Sequence, residues 1–181
     1  MLNFRDDPNA FRAFINEHRD RVYNIVLNKV QQAEDAEEIT QDVFVDVFRK
    51  PETFRCESAV STWLYRIAVN KSIDHLRKKQ SRNNWSITRL FSSGDDMNEP
   101  KDLSHPGVLS ENKEKTTLLF KAMKKLPDKQ HTVWVLSEIE NLNYKEISEV
   151  MNVSVSSVES LLFRARQNLK KILSGMYPGD K

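Results

Sequence analysis

Three sets of side chains in this 181-residue chain have the types and spacing to bind, and none has the pattern to react. Between Tyr144 and Leu173, Ser156, Ser160, Phe163, Arg164, Gln167 and Lys171 recur at helical spacing, short hydroxyls followed by bases and an amide. Such groups contact phosphates and base edges, although a plain helical hairpin could share the spacing. Trp63, Arg66, Asn70, Asp74 and Arg77, at steps of three and four, share one face of another helix, and Phe54 and Arg55 precede it in a loop. Rings interleaved with cations and an amide suit an unpaired strand, whose bases stack on the aromatics while its phosphates meet the cations. The same spacing also fits a buried Trp63 beside a solvated basic face. The third set is acidic: Glu34, Asp35, Glu37, Glu38, Asp42 and Asp46 fall between positions 34 and 46 with no base among them. That segment repels nucleic acid and keeps Ile39, Val43 and Val47 in line, as either a solvated face or a protein-docking surface.

Reaction chemistry finds little support. His18, His75, His105 and His131 lack metal-ligand spacing. There is no glycine-rich phosphate loop and no nucleophile elbow. The single cysteine, Cys56, excludes an intramolecular disulfide framework and a cysteine-rich zinc site, and reads as a bystander thiol in a reducing compartment. We expect no catalytic residue, metal, cofactor or small-molecule substrate. The formal charge is only +2, but the acidic segment and the basic stretches Lys71–Arg82 and Val155–Lys171 suggest several partners, nucleic acid among them. No stretch approaches the roughly 20 apolar residues of a membrane span, and the N-terminus lacks the apolar core of a signal peptide. Both point to a cytoplasmic protein without membrane insertion.

The elements that must position these sets are helical. Only four glycines occur, the first at Gly94, and the six prolines sit where apolar periodicity starts or stops. Phe11, Phe14, Ile15, His18, Val22, Ile25, Val26 and Val30 mark one helix; a second runs from about Glu34 to Lys50, and a third from about Ser58 to Lys79. Periodicity disappears between Ser81 and Asn112 and returns as helices at about 113–125, 128–140, 144–151 and 155–173. Asn152-Val153-Ser154 reads as a tight turn with a left-handed Asn152 and an N-cap at Ser154. Val155, Val158, Leu162, Ala165, Leu169 and Ile172 should face inward. The fold class is therefore all-α: two small helical domains, 1–81 and 113–177, joined by a flexible linker, 82–112, with a helix-turn-helix in the C-terminal domain.

Ala33-Glu34-Asp35-Ala36-Glu37-Glu38-Ile39-Thr40-Gln41-Asp42-Val43-Phe44, Ser61-Thr62-Trp63-Leu64-Tyr65-Arg66-Ile67-Ala68-Val69-Asn70 with Asp74-His75-Leu76-Arg77-Lys78-Lys79, Leu126-Pro127, Tyr144-Lys145-Glu146-Ile147 and Arg164-Ala165-Arg166 occur in that order. Together they resemble the extracytoplasmic-function (group IV) sigma factors of bacterial RNA polymerase along nearly the whole chain. The resemblance implies a promoter-specificity factor that binds core RNA polymerase and promoter DNA and is commonly held inactive by an anti-sigma factor. It implies polymerase contacts at Glu38, Ile39, Gln41, Asp42, Phe44 and Val45. It places −10 recognition and melting on Phe54, Arg55, Ser61, Trp63, Arg66, Asn70, Lys71, Asp74, Arg77 and Lys78. Recognition of the −35 element falls to Ser156, Ser157, Glu159, Ser160, Phe163, Arg164, Gln167 and Lys171. Two positions depart from the family pattern: Glu159 and Leu161 stand where bases are frequent, and Asn152 where Gly is frequent. The alternative is a helix-turn-helix regulator that is not a polymerase subunit; it leaves the Trp63 face and the acidic helix unexplained.

Overall fold

The computed structural model describes Phe4 and residues 7–53, 59–89 and 113–176. Phe54, Arg55, Cys56 and residues 90–112 of the expected linker lie outside the described residues. The chain divides into two units, Met1–Asp102 and Leu103–Lys181.

In the first unit α1 spans Pro8–Val30, α2 Ala33–Arg49 and α3 Val60–Arg89. Asp7 starts α1: its carboxylate accepts from the Asn9 and Ala10 N–H groups, each at 3.0 Å, and Pro8 pre-sets the first helical turn. Gln31 ends it in the left-handed region, φ 54°, with its N–H donating to the Leu27 carbonyl at 2.7 Å. Glu34 and Asp35 sit in the first turn of α2, where the helix dipole favours acids, and Pro51 opens a 3₁₀ turn, Pro51–Thr53, just after its end. The expected end of α3 at Lys79 falls short of the observed Arg89, because no glycine or proline interrupts the chain there.

Helix α1 packs against α2 and α3, which also pack on each other. Val22, Ile25 and Val26 meet Ala36, Val43 and Val47 of α2 and Leu64 and Ala68 of α3, all buried. Each large aliphatic contributes roughly 1.5–3 kcal/mol by leaving water. Ser72, buried in α3, donates its hydroxyl to the Ala68 carbonyl at 2.8 Å, so no bare polar atom is left there.

The second unit contains α4 Lys113–Lys124, α5 Asp128–Trp134, a π-helical turn Val135–Ile139, α6 Tyr144–Met151 and α7 Val155–Met176. Thus the single helix expected over 128–140 changes its winding midway; Glu140 N–H reaches back five residues to the Val135 carbonyl at 3.0 Å. Asn143 and Glu146 form a capping box on α6: Asn143 Oδ1 accepts from Glu146 N–H at 3.0 Å and Glu146 Oε2 from Asn143 N–H at 2.8 Å. Asn152 closes α6 at φ 52°, and Ser154 Oγ accepts from Ser157 N–H at 3.2 Å as α7 begins.

Val158, Leu162, Ala165 and Leu169 form the inward stripe of α7. Ala165 and Leu169 pack with Ala122, Met123, Leu126 and Val135. Val155, expected to face inward, is 41% exposed, because the first turn of α7 precedes the core contact; Ile172 is half-buried.

Candidate nucleic-acid interface

Helix α7 offers the more open surface. Ser156, Glu159, Ser160, Arg164, Gln167 and Lys171 are exposed and Phe163 is 62% exposed, an unusual position for a phenyl ring unless a partner covers it. Ser157 is half-buried, and Ser154 Oγ lies 3.0 Å from Ser156 Oγ and 2.8 Å from Ser157 Oγ, so the serines at the helix start are already hydrogen-bonded together. Arg166 points elsewhere: it donates to Glu138 of the π turn at 2.7 Å. That hydrogen bond and the charge of Glu138 raise the guanidinium pKa above its ordinary value, with a smaller contribution from Tyr144. Arg166 therefore braces α7 against the preceding helix.

Helix α3 is different. Asn70, Asp74, Arg77 and Lys78 are exposed, and Ser61, Arg66 and Lys71 are half-buried. Trp63, expected at the head of the DNA-facing stripe, is only 8% exposed and belongs to the core. The reason is local: Trp63 and Leu64 lie where α3 enters the three-helix packing, and both are buried. Phe54 and Arg55, expected beside it, fall outside the described residues.

The acids of α2 run along α3 and hold its cations. Lys71 Nζ lies 2.8 Å from Asp46 and 3.9 Å from Asp42. Lys79 Nζ lies 2.8 Å from Asp35 Oδ2 and also hydrogen-bonds Gln32; His75 Nε2 is 3.2 Å from the same carboxylate oxygen. Burial alone would raise the Asp35 pKa, but the Lys79 hydrogen bond and charge, together with those of His75, outweigh it and hold the carboxyl below its ordinary value. Sequence reasoning missed these ties. Their signal was a stripe of acids at 35, 42 and 46 and a stripe of bases at 71, 75 and 79, each at helical spacing.

On α2 itself Glu38, Gln41 and Asp42 are exposed and Val45 is 41% exposed, whereas Ile39 and Phe44 are 4% and 6% exposed. Those two expected contacts are corrected: with Val43 they form the inner face of α2 and cannot lie on an outer docking surface in this conformation. Beside Gln41 and Val45 opens an apolar groove between α1 and α2, which had no place in the sequence reading. Among the described residues no cluster of three or more His, Cys, Asp or Glu side chains is arranged to hold a metal, and no helix is long and apolar enough to cross a membrane.

Two helical units, the second with a helix-turn-helix whose outer face is polar, define a helical DNA-binding protein of the sigma-70 type. Residues 14–82 match Sigma-70 region 2 and residues 117–169 match Sigma-70, region 4. The chain is 30% identical over 173 residues to the ECF RNA polymerase sigma factor SigW of Bacillus subtilis, covering 93% of this chain and 91% of that protein. It is 31% identical over 168 residues to the ECF RNA polymerase sigma-E factor of Escherichia coli, covering 90% and 86%. In fold it is similar to the sigma factor RpoE solved with the anti-sigma factor NepR from Bartonella quintana (TM-score 0.69, 18% identity, 91% of this chain and 97% of that one). It is also similar to CnrH solved with the cytosolic domain of CnrY (TM-score 0.67, 20% identity, 93% and 90%). The chain belongs to the extracytoplasmic-function RNA polymerase sigma factors. It is a promoter-specificity factor of RNA polymerase.

Proposed function

We propose that the two units divide promoter recognition as follows. Residues 1–81 bind core polymerase through the exposed edge of α2, at Glu38, Gln41, Asp42 and Val45, and engage the −10 element through Ser61, Arg66, Asn70, Lys71, Asp74, Arg77 and Lys78, with Phe54 and Arg55 in the preceding loop. Ile39, Phe44 and Trp63 support those surfaces from beneath. Residues 113–177 read the −35 element with α7, through Ser156, Ser157, Glu159, Ser160, Phe163, Arg164, Gln167 and Lys171, and residues 82–112 link the two. The observation that carries this reading is the open polar face of α7 on a helix-turn-helix, in a chain whose first unit matches region 2.

Docking is a polar-rim interaction in which charge sets specificity, so Asp42→Arg should weaken core binding while the fold stays intact; co-purification with core at unchanged yield counts against it. The protein acts by binding, without catalysis of its own, in the cytoplasm. An anti-sigma factor holds it inactive, a reading supported by family membership. Run-off transcription with purified core polymerase tests the whole. Core alone should fail to start at a promoter and core with this chain should start; a chain that binds promoter DNA yet leaves core inert would be a helix-turn-helix regulator instead.

A further inference from the structure

The groove between α1 and α2 has a volume of about 750 Å³, within the range of sites that take a compact ligand or a few large side chains. Its walls are apolar: Phe11 and Ile15 from α1, Phe44 and Phe48 from α2, with the Phe11 and Phe48 rings 5.0 Å apart. Phe48 and Val45 remain 40% and 41% exposed at its lip, so the unit leaves apolar surface in water just where a concavity could receive a partner.

Two further features say what kind of partner. The charged groups lining the groove are the guanidiniums of Arg19 and Arg49, although α2 is otherwise strongly acidic along its outer edge. A basic partner would meet Glu37, Glu38 and Asp42; an acidic one finds its complement at the groove. Thr40, which also lines it, is 4% exposed and its hydroxyl has no hydrogen-bond partner. Elsewhere in these helices Ser72, Thr132 and Ser174 return their hydroxyls to the carbonyl four residues back. A buried hydroxyl left unmade is costly and is a ready donor or acceptor for a guest.

We infer that this groove is the docking site of a protein regulator that presents an acidic amphipathic helix, apolar anchors inward and carboxylates toward Arg19 and Arg49. Anchors at i, i+3 or i+4 and i+7 suit a groove between two helices. Gln41 and Val45 line the groove and also belong to the polymerase-facing edge proposed above, so a seated regulator displaces core polymerase. That competition rests on the docking assignment of Gln41 and Val45; occupancy of the groove does not.

The test uses the full chain and a fluorescent synthetic amphipathic helix with Leu and Phe at a three-and-four spacing and Glu on its flanks. Fluorescence anisotropy should show saturable binding that core polymerase reverses. Arg19→Glu with Arg49→Glu should weaken it at least about tenfold, as loss of two charge-assisted contacts implies, and a partner peptide with Lys in place of Glu should restore it. Phe48→Glu, at an exposed lip position, should abolish binding of both peptides without loss of helical circular dichroism. Unchanged affinity in the charge-reversed variant overturns the inference while run-off transcription still reports on the sigma activity. Saturation by palmitate with no peptide binding assigns the groove to a lipid and overturns it, as does a concentration-dependent dimer that Phe48→Glu dissolves. Peptide binding with the charge swap intact but no competition by core supports the groove and refutes the docking assignment of Gln41 and Val45.

Discussion

Helices α3 and α7 each carry the cations of a nucleic-acid surface, but they hold them in opposite ways. On α3, Lys71 and Lys79 are tied to Asp46 and Asp35 of α2, and Arg77 stands 4.0 Å from Asp74 on its own helix. On α7, Arg164 and Lys171 face water, and the one arginine that is tied, Arg166, is turned to Glu138. Charge counted along the chain is thus not charge available to a phosphate. The first unit meets DNA with its bases partly compensated, which weakens nonspecific attraction; the second meets it with bases and a phenyl ring uncovered, which favours early, salt-sensitive contact.

The largest expected effect would break the comparison at its simplest point. Trp63 is buried, so Trp63→Ala should cost on the order of 3–5 kcal/mol, read as faster amide hydrogen exchange throughout α1–α3 of the full chain. Unchanged exchange with loss of permanganate-reactive strand opening would return Trp63 to the DNA surface.

On α7, Glu159→Lys sharpens the contrast. The new ammonium can neutralise another phosphate, steepening the log–log salt dependence of binding by about 0.9. The lost carboxylate can no longer accept from a cytosine amino group, so preference at one −35 base pair should relax by roughly 1–3 kcal/mol. If binding to the best promoter and to scrambled DNA rises by the same factor, Glu159 repels and selects nothing.

A smaller change is expected on α3. Asp46→Asn releases Lys71 from its closest partner, and single-stranded DNA binding at low salt should rise by roughly threefold, in keeping with an ion pair worth under about 1 kcal/mol. No rise at any salt concentration would show that Lys71 serves only to join the helices.

The smallest effect concerns acid. Because the folded Asp35 carboxyl titrates below its unfolded value, its contribution is complete above about pH 4 and is lost as pH falls through the folded value. Partial exposure limits it to under about 1 kcal/mol. Hydrogen exchange in α2 and α3 should accelerate at the acid end, and Lys79→Met should reduce that pH dependence; an identical profile in the variant would remove Lys79 as its source.

Much of this was legible in the residues. The spacing of Val22, Ile25 and Val26 and of Val158, Leu162 and Ala165 located the core, and Asn152 and Ser154 located the turn, because apolar period and capping chemistry are local. What depended on neighbouring helices was not. Trp63 sits at helical spacing with both the core and the basic face, and only the packing of α1 and α2 decides between them. Ile39 and Phe44 belong to a segment identified by resemblance, which marks a segment without saying which face turns outward. The α1–α2 groove arises from residues some thirty positions apart along the chain, a separation over which periodicity carries no information.

The π turn at Val135–Ile139 has a meaning in terms of insertions and deletions. It holds one residue more than an α-helical turn needs, so a one-codon deletion among residues 135–137 would leave a hydrogen-bonded helix, now wound as ordinary α. The cost would fall on phase: the helix beyond the deletion would turn by about 100° relative to α5. Glu138 would swing away from Arg166, and α7 would lose a brace without losing a single residue of its own.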